Sequence, residues 1–264
     1  ALGRTGEGAP SPRMSTALEL YRAGDAEALR DAIEESWPID RLLMLVALGR
    51  YREAVAEGAA IGVGDEREPG DFEWLNRINL SEAFVELGEF ERARALLDPG
   101  PGDDAGALVR AGAQTALAWL HTTTGDHETA LKIVQSVTAA DLGLDFQAEV
   151  FLTRTLVLLN LGRLDEARVA IDECRRVTVR ASTERNLLLL EARWFVQSGR
   201  LEEALKTLAL ARDHHWKCQG GASWLGLGDA LRDASRLVEA RACWALTIER
   251  DAESISATHA QKRR

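Results

Sequence analysis

Cysteine is scarce in this 264-residue chain, and the three present do not pair: Cys174, Cys218 and Cys243 are odd in number and show no CxxC spacing. That excludes a disulfide framework and fits a reducing, cytoplasmic compartment. Two of the three fall in helical stretches, where cysteine packs as a small hydrophobe. Long apolar runs are lacking too. The longest window free of Asp, Glu, Lys and Arg, from Ala111 to Gly125, contains Gln114, Thr115, His121 and three consecutive threonines, and is too short and too polar to span a bilayer. Residues 1 to 13 hold no apolar stretch of the secretory kind and are rich in Gly and Pro. They are expected to form a disordered tail, or a remnant ahead of a natural start at Met14. An excess of basic charge is also missing. Asp and Glu number 42 against 32 Lys and Arg, for a net charge of −10, with the signs interspersed. This argues against nucleic acid or an anionic membrane as the partner.

Catalytic patterns are equally thin. Gly62-Val63-Gly64 and Gly220-Gly221 lack the strand-to-helix setting and the Gly-Lys-Ser/Thr ending of a phosphate loop. His214, His215 and Cys218 place three metal-capable side chains within five residues, but a closed zinc site takes four ligands. A polar inter-repeat turn is the plainer account. His121 and His127 fall in slots suited to aromatic packing residues. Asp165, Glu166, Glu202 and Glu203 stand at helix starts, where the helix dipole favours carboxylates. The expectation is a protein that is not an enzyme, with no metal and no cofactor.

What the chain does have is a period. Gly49, Gly88, Gly125, Gly162 and Gly199, with Ser235 in the sixth place, each precede an alanine five residues later: Ala54, Ala93, Ala130, Ala167, Ala204 and Ala240. The first positions lie 39, 37, 37, 37 and 36 residues apart, a regularity that marks stacked repeats. Each segment reads as a corner between two antiparallel helices. The glycine ends one helix in a left-handed conformation, an acidic residue opens the next, and the alanine lets the two axes approach. Residues 14 to 48 are compressed, with short helices expected near 15–23, 26–36 and 38–48.

The arrangement resembles the tetratricopeptide repeat. In the last copy Trp224, Leu227, Gly228 and Leu231 stand at that motif's spacing ahead of Ser235, Leu237, Ala240 and Trp244. Leu80, Ser81, Phe84, Gly88, Phe90, Ala93 and Leu97 form another copy, and Leu117, Ala118, His121, Gly125, His127, Ala130 and Val134 a third. The copy around Gly162 departs from the pattern, with Arg154 and Thr155 where Leu and Gly are expected. The surplus over a 34-residue period is assigned to inter-repeat turns such as Asp98–Asp104. The resemblance implies an all-α fold, a right-handed α-α superhelix of about six hairpins with short N-terminal cap helices. The expected division is a cap over 14–36, repeats over about 35–250 and a C-terminal cap or tail over 251–264, all in one solenoid domain.

It also implies a concave groove lined by the fifth and ninth residues of successive repeats. These are Ile78 and Glu82, Thr115 and Trp119, Leu152 and Leu156, Leu189 and Arg193, and Leu225 and Asp229. The centre of this inferred groove is apolar and its ends are charged, which suits a peptide or amphipathic helix. The alternative is that the leucines face neighbouring helices. A family clamp that holds chaperone carboxylates is not matched, since Ile78, Glu82, Trp119 and Glu149 stand at corresponding positions and only Asn79 is suggestive. The leading reading is a non-catalytic scaffold that binds another protein or peptide. A ligand-responsive sensor, like the C-terminal modules of some bacterial transcription regulators, and a self-associating structural solenoid are the alternatives.

Overall fold

The computed structural model describes residues 20, 25–33, 36, 38–65, 69–178, 180–216 and 220–264. The tail over 1–13, Met14, Cys218 and most of the helix expected near 15–23 lie outside the described residues. Fourteen α-helices are present, and no strand occurs among the described residues. A short α1 (Ala26–Ile33) precedes six hairpins. These are α2 (Pro38–Ala47) with α3 (Tyr51–Ala60), α4 (Asp71–Glu86) with α5 (Phe90–Leu97), and α6 (Ala107–Thr123) with α7 (His127–Ser136). There follow α8 (Leu144–Asn160) with α9 (Leu164–Val177), α10 (Ala181–Gln197) with α11 (Leu201–Asp213), and α12 (Gly221–Asp233) with α13 (Leu237–Arg250). A last helix, α14 (Ile255–Arg263), packs on both helices of the sixth hairpin.

The corners explain the period. Gly49, Gly88, Gly125, Gly162, Gly199 and Ser235 all have positive φ, between 62° and 89°. At each, the amide of the following residue reaches back five residues into the preceding helix, as from Arg163 N to Leu158 O at 2.9 Å and from Arg236 N to Leu231 O at 2.8 Å. The corner amide itself bonds three residues back, so two carbonyls otherwise orphaned at the helix end are satisfied. Ser235 holds this left-handed backbone with a Cβ, whereas a Cβ at Gly162 would touch nothing within 4 Å and would suffer only the backbone strain. Gly162→Ser is therefore expected to lower stability by about 1 kcal/mol and Ser235→Gly to raise it by a similar amount. Urea unfolding followed by circular dichroism checks both, and shifts of the same sign would refute the account.

Beyond each corner, Ala54, Ala93, Ala130, Ala167, Ala204 and Ala240 are all buried, with at most 1% of their surface exposed. A larger side chain there would push the paired helices apart. Thr155 fills the small-residue slot of the irregular fourth hairpin. It is fully buried, and its hydroxyl donates to Phe151 O at 2.7 Å, so the extra polar atom is satisfied within its own helix. Arg154 instead turns outward, toward Glu173 at 3.7 Å.

The first helices form one layer in which α2, α4, α6, α8, α10 and α12 pack in succession, and α14 takes the next place. The stack then meets its own beginning. Arg52 N, in the first turn of α3, donates to Glu253 Oε2 at 2.9 Å, and α14 touches α4. Ala181 and Trp216 of the fifth hairpin lie in the same core region as Tyr51 and Leu120. The solenoid therefore closes, its last segment resting on its first corners. None of the helices among the described residues is long and apolar enough to cross a membrane.

Candidate functional site

The inner wall is built from one face of the first helices, and closure gives it two regions of different charge. The first gathers at the seam. Glu82 and Glu86 stand one turn apart on α4, so both reach the same space. Tyr51 opens α3 with 2% of its surface exposed, and its hydroxyl lies against Asp251, itself 2% exposed. Asp251 also accepts from Gly221 N at 2.9 Å, at the start of α12. Trp119 Nε1 faces Glu86 without reaching hydrogen-bond geometry. Arg180 approaches Asp145 at 3.3 Å and Glu149 at 3.8 Å from the outer end of α10, and Thr183 donates to Glu149 at 3.1 Å.

Burial dominates the titration of these carboxylates. It pushes Glu82 up to about 7, with the negative charges of Glu149 and Asp251 adding to the effect and Arg180 opposing it. Asp251 rises to about 6 through burial, restrained by Tyr51, the Gly221 amide and Arg185. Glu86 moves in the same direction through burial and the charges of Asp251 and Glu82. A cavity of about 530 Å³ opens at the seam, where Arg30, Gly49, Arg250 and Glu253 meet.

The second region faces α12 and α14. Arg193 crosses Gly226 so closely that its Nη1 lies 2.9 Å from where a Cβ on that residue would stand. Asp229 is held by Arg263 at 2.7 Å and by Arg232 at 3.8 Å. Leu225 is half-buried beside them.

The ten residues expected to line a groove therefore separate into two sets. Ile78, Glu82, Thr115, Trp119, Arg193, Leu225 and Asp229 are partly exposed. Leu152, Leu156 and Leu189 are buried, the first two in the core shared by α6 to α10 and the third in the core of α10 to α14. In this closed form the leucines of the middle hairpins face neighbouring helices. Sequence reasoning missed Tyr51, Glu86 and Asp251. Glu86 carried a signal, its spacing of four from Glu82; Asp251 carried none, because only closure brings it to Tyr51.

Among the described residues no group of three His, Cys, Asp or Glu is arranged to hold a metal. His214 and His215 stack with ring centroids 4.4 Å apart, and His214 Nε2 lies 3.4 Å from Glu184. His121 Nδ1 lies 3.2 Å from Asp126, whose carboxylate caps α7 by accepting from Thr129 N at 3.2 Å. Cys174 is buried and its thiol pushed up to about 12 by desolvation, which leaves it unreactive.

With the geometry in hand, comparison with known proteins gives one match. The family model described as tetratricopeptide repeat matches residues 77–99 and 111–135. These segments carry the corners of the second and third hairpins. No match to a curated protein was found.

Proposed function

Because the chain is a tetratricopeptide-repeat protein, we propose that it is a non-catalytic scaffold whose inner wall binds a peptide or amphipathic helix of another protein. Repeats of this family generally mediate protein–protein contacts. The observation that carries the finer reading is the set of inner positions that keep solvent-facing surface on an otherwise buried wall. Trp119 and Leu225 offer apolar anchors, and Arg193 and Asp229 offer charge. Mixed walls of this kind fix a peptide by anchors and its register by polar groups. Leu152, Leu156 and Leu189 support the wall from behind.

The test is affinity capture from native lysate with the wild type and with a Trp119→Ala, Leu225→Ala variant, both confirmed as folded by circular dichroism. A partner identified by mass spectrometry, captured by the wild type and lost by the variant, is the expected result. Its retention would move the binding surface elsewhere.

A sensor reading draws on a separate observation, the meeting of the two ends through the polar contacts of Tyr51, Asp251 and Glu253. A ligand that favours the closed form would raise the melting temperature in proportion to its occupancy. Self-association is a further proposal, checked by the concentration dependence of light-scattering mass.

A further inference from the structure

Arg193 stands apart from the other charged residues of the inner wall. Its Nε is buried and has no hydrogen-bond partner, and no carboxylate lies within ion-pair distance of its guanidinium. The nearest acid that acts on it, Asp229, is already engaged by Arg263 and Arg232. Desolvation draws its pKa down to about 10, so it stays charged at neutral pH while lacking much of its hydration. Leaving a guanidinium so placed is costly unless an acceptor arrives.

The surroundings point to the kind of acceptor. Gly226 leaves room for the arm of Arg193 to lie flat across α12, which fixes its direction. His127, at the start of α7, is close enough for the two groups to feel each other, and its Nδ1 is also buried without a partner. From α14, Arg263, Lys262 and His259 add positive or protonatable groups around Asp229. In a chain with a net charge of −10, this is a local excess of cations on the wall assigned to peptide binding.

We propose that Arg193 seats a carboxylate of an acidic peptide, received bidentately by its two terminal nitrogens. This rests on the scaffold reading above and gives the bound segment a chemistry. A planar guanidinium whose Nε is closed off presents a fork that matches a carboxylate. Leu225, half-buried on the same helix as Gly226, supplies an apolar contact beside it.

The probe is fluorescein-labelled hexaglutamate, followed by anisotropy, with the Arg193 Nε–H signal followed by nitrogen-15 NMR. Hexaglutamate is expected to bind and to move that signal, and Arg193→Gln is expected to weaken binding by about tenfold. Arg193→Lys should recover part of the loss, and Arg200→Gln, at an exposed corner where the arginine pairs with Glu203, should change nothing. Equal loss in Arg193→Gln and Arg200→Gln would reduce the effect to net charge and overturn the seat, as would no binding at all. A signal moved by inorganic phosphate but not by hexaglutamate would also overturn it in favour of a free-anion site. The two readings fail separately. Hexaglutamate binding that needs Arg193, together with a captured partner indifferent to Trp119→Ala and Leu225→Ala, keeps the seat and removes the scaffold. The reverse pattern keeps the scaffold and removes the seat.

Discussion

Trp224→Ala is expected to destabilise the protein by about 3–5 kcal/mol, the cost of emptying a large aromatic site in a close-packed core. Trp224 has no exposed surface and packs with Leu189, Leu227, Leu231 and Trp244, under the guanidinium of Arg250 at 5.2 Å. Neighbouring glycines leave little slack for relaxation: a Cβ on Gly228 would already stand 2.6 Å from Trp244 Nε1. The loss should be felt unevenly. In a stack, each hairpin is held by its neighbours, so weakening the sixth loosens α12, α13 and the helix α14 that rests on them before it reaches α8 and α9. Hydrogen exchange should show amides of 221–263 opening first. Trp224→Phe should cost less, because the indole N–H it removes has no hydrogen-bond partner. A measured loss below about 1 kcal/mol for Trp224→Ala would show that the site collapses freely and that the packing described for this hairpin is wrong.

Stability is also expected to fall as the pH rises from about 5 to 8, and Glu82→Gln should abolish much of that fall. Glu82 titrates near 7 in the folded chain, against an ordinary value of 4.5. The folded state therefore binds more protons than the unfolded state between those values. The stabilising contribution is complete below about 4.5 and is lost as the pH passes through 7, which amounts to about 3 kcal/mol. Asp251, raised to about 6, acts in the same direction. Glutamine keeps the shape of the side chain without a charge to bury, so the variant and the wild type should agree near pH 5 and separate by pH 8, with the variant the more stable. Urea midpoints measured across that range decide the matter. Parallel curves would mean that Glu82 is hydrated and ionised in the folded protein throughout.

The hairpins were legible because their corners depend on backbone geometry. A left-handed residue every 36 to 39 positions and a buried alanine five residues on leave their mark whatever the rest of the repeat does. Trp224 and Trp244 were legible as packing residues for the same local reason, since their slots are defined within one hairpin. The inner wall was less so. Reading positions five and nine as an open trough treats every repeat as equally curved, and nothing local in Leu152, Leu156 or Leu189 distinguishes a side chain facing solvent from one pressed on the next helix. Closure was not legible at all. The contact of Arg52 with Glu253 spans 201 residues and depends on small rotations accumulated through six hairpins, none of which is written in one residue.

That contact also bears on how the chain can vary. An open array can gain or lose a unit at little cost beyond the unit itself, since each repeat touches only its neighbours. Here α14 must arrive beside α4, and Glu253 beside the first turn of α3. Duplicating one hairpin would advance the final helix by a full unit along the arc and carry it past its seat, and deleting one would leave it short. The count of hairpins is thereby fixed by geometry within a single polypeptide, much as the number of subunits is fixed in a cyclic oligomer whose rotation closes.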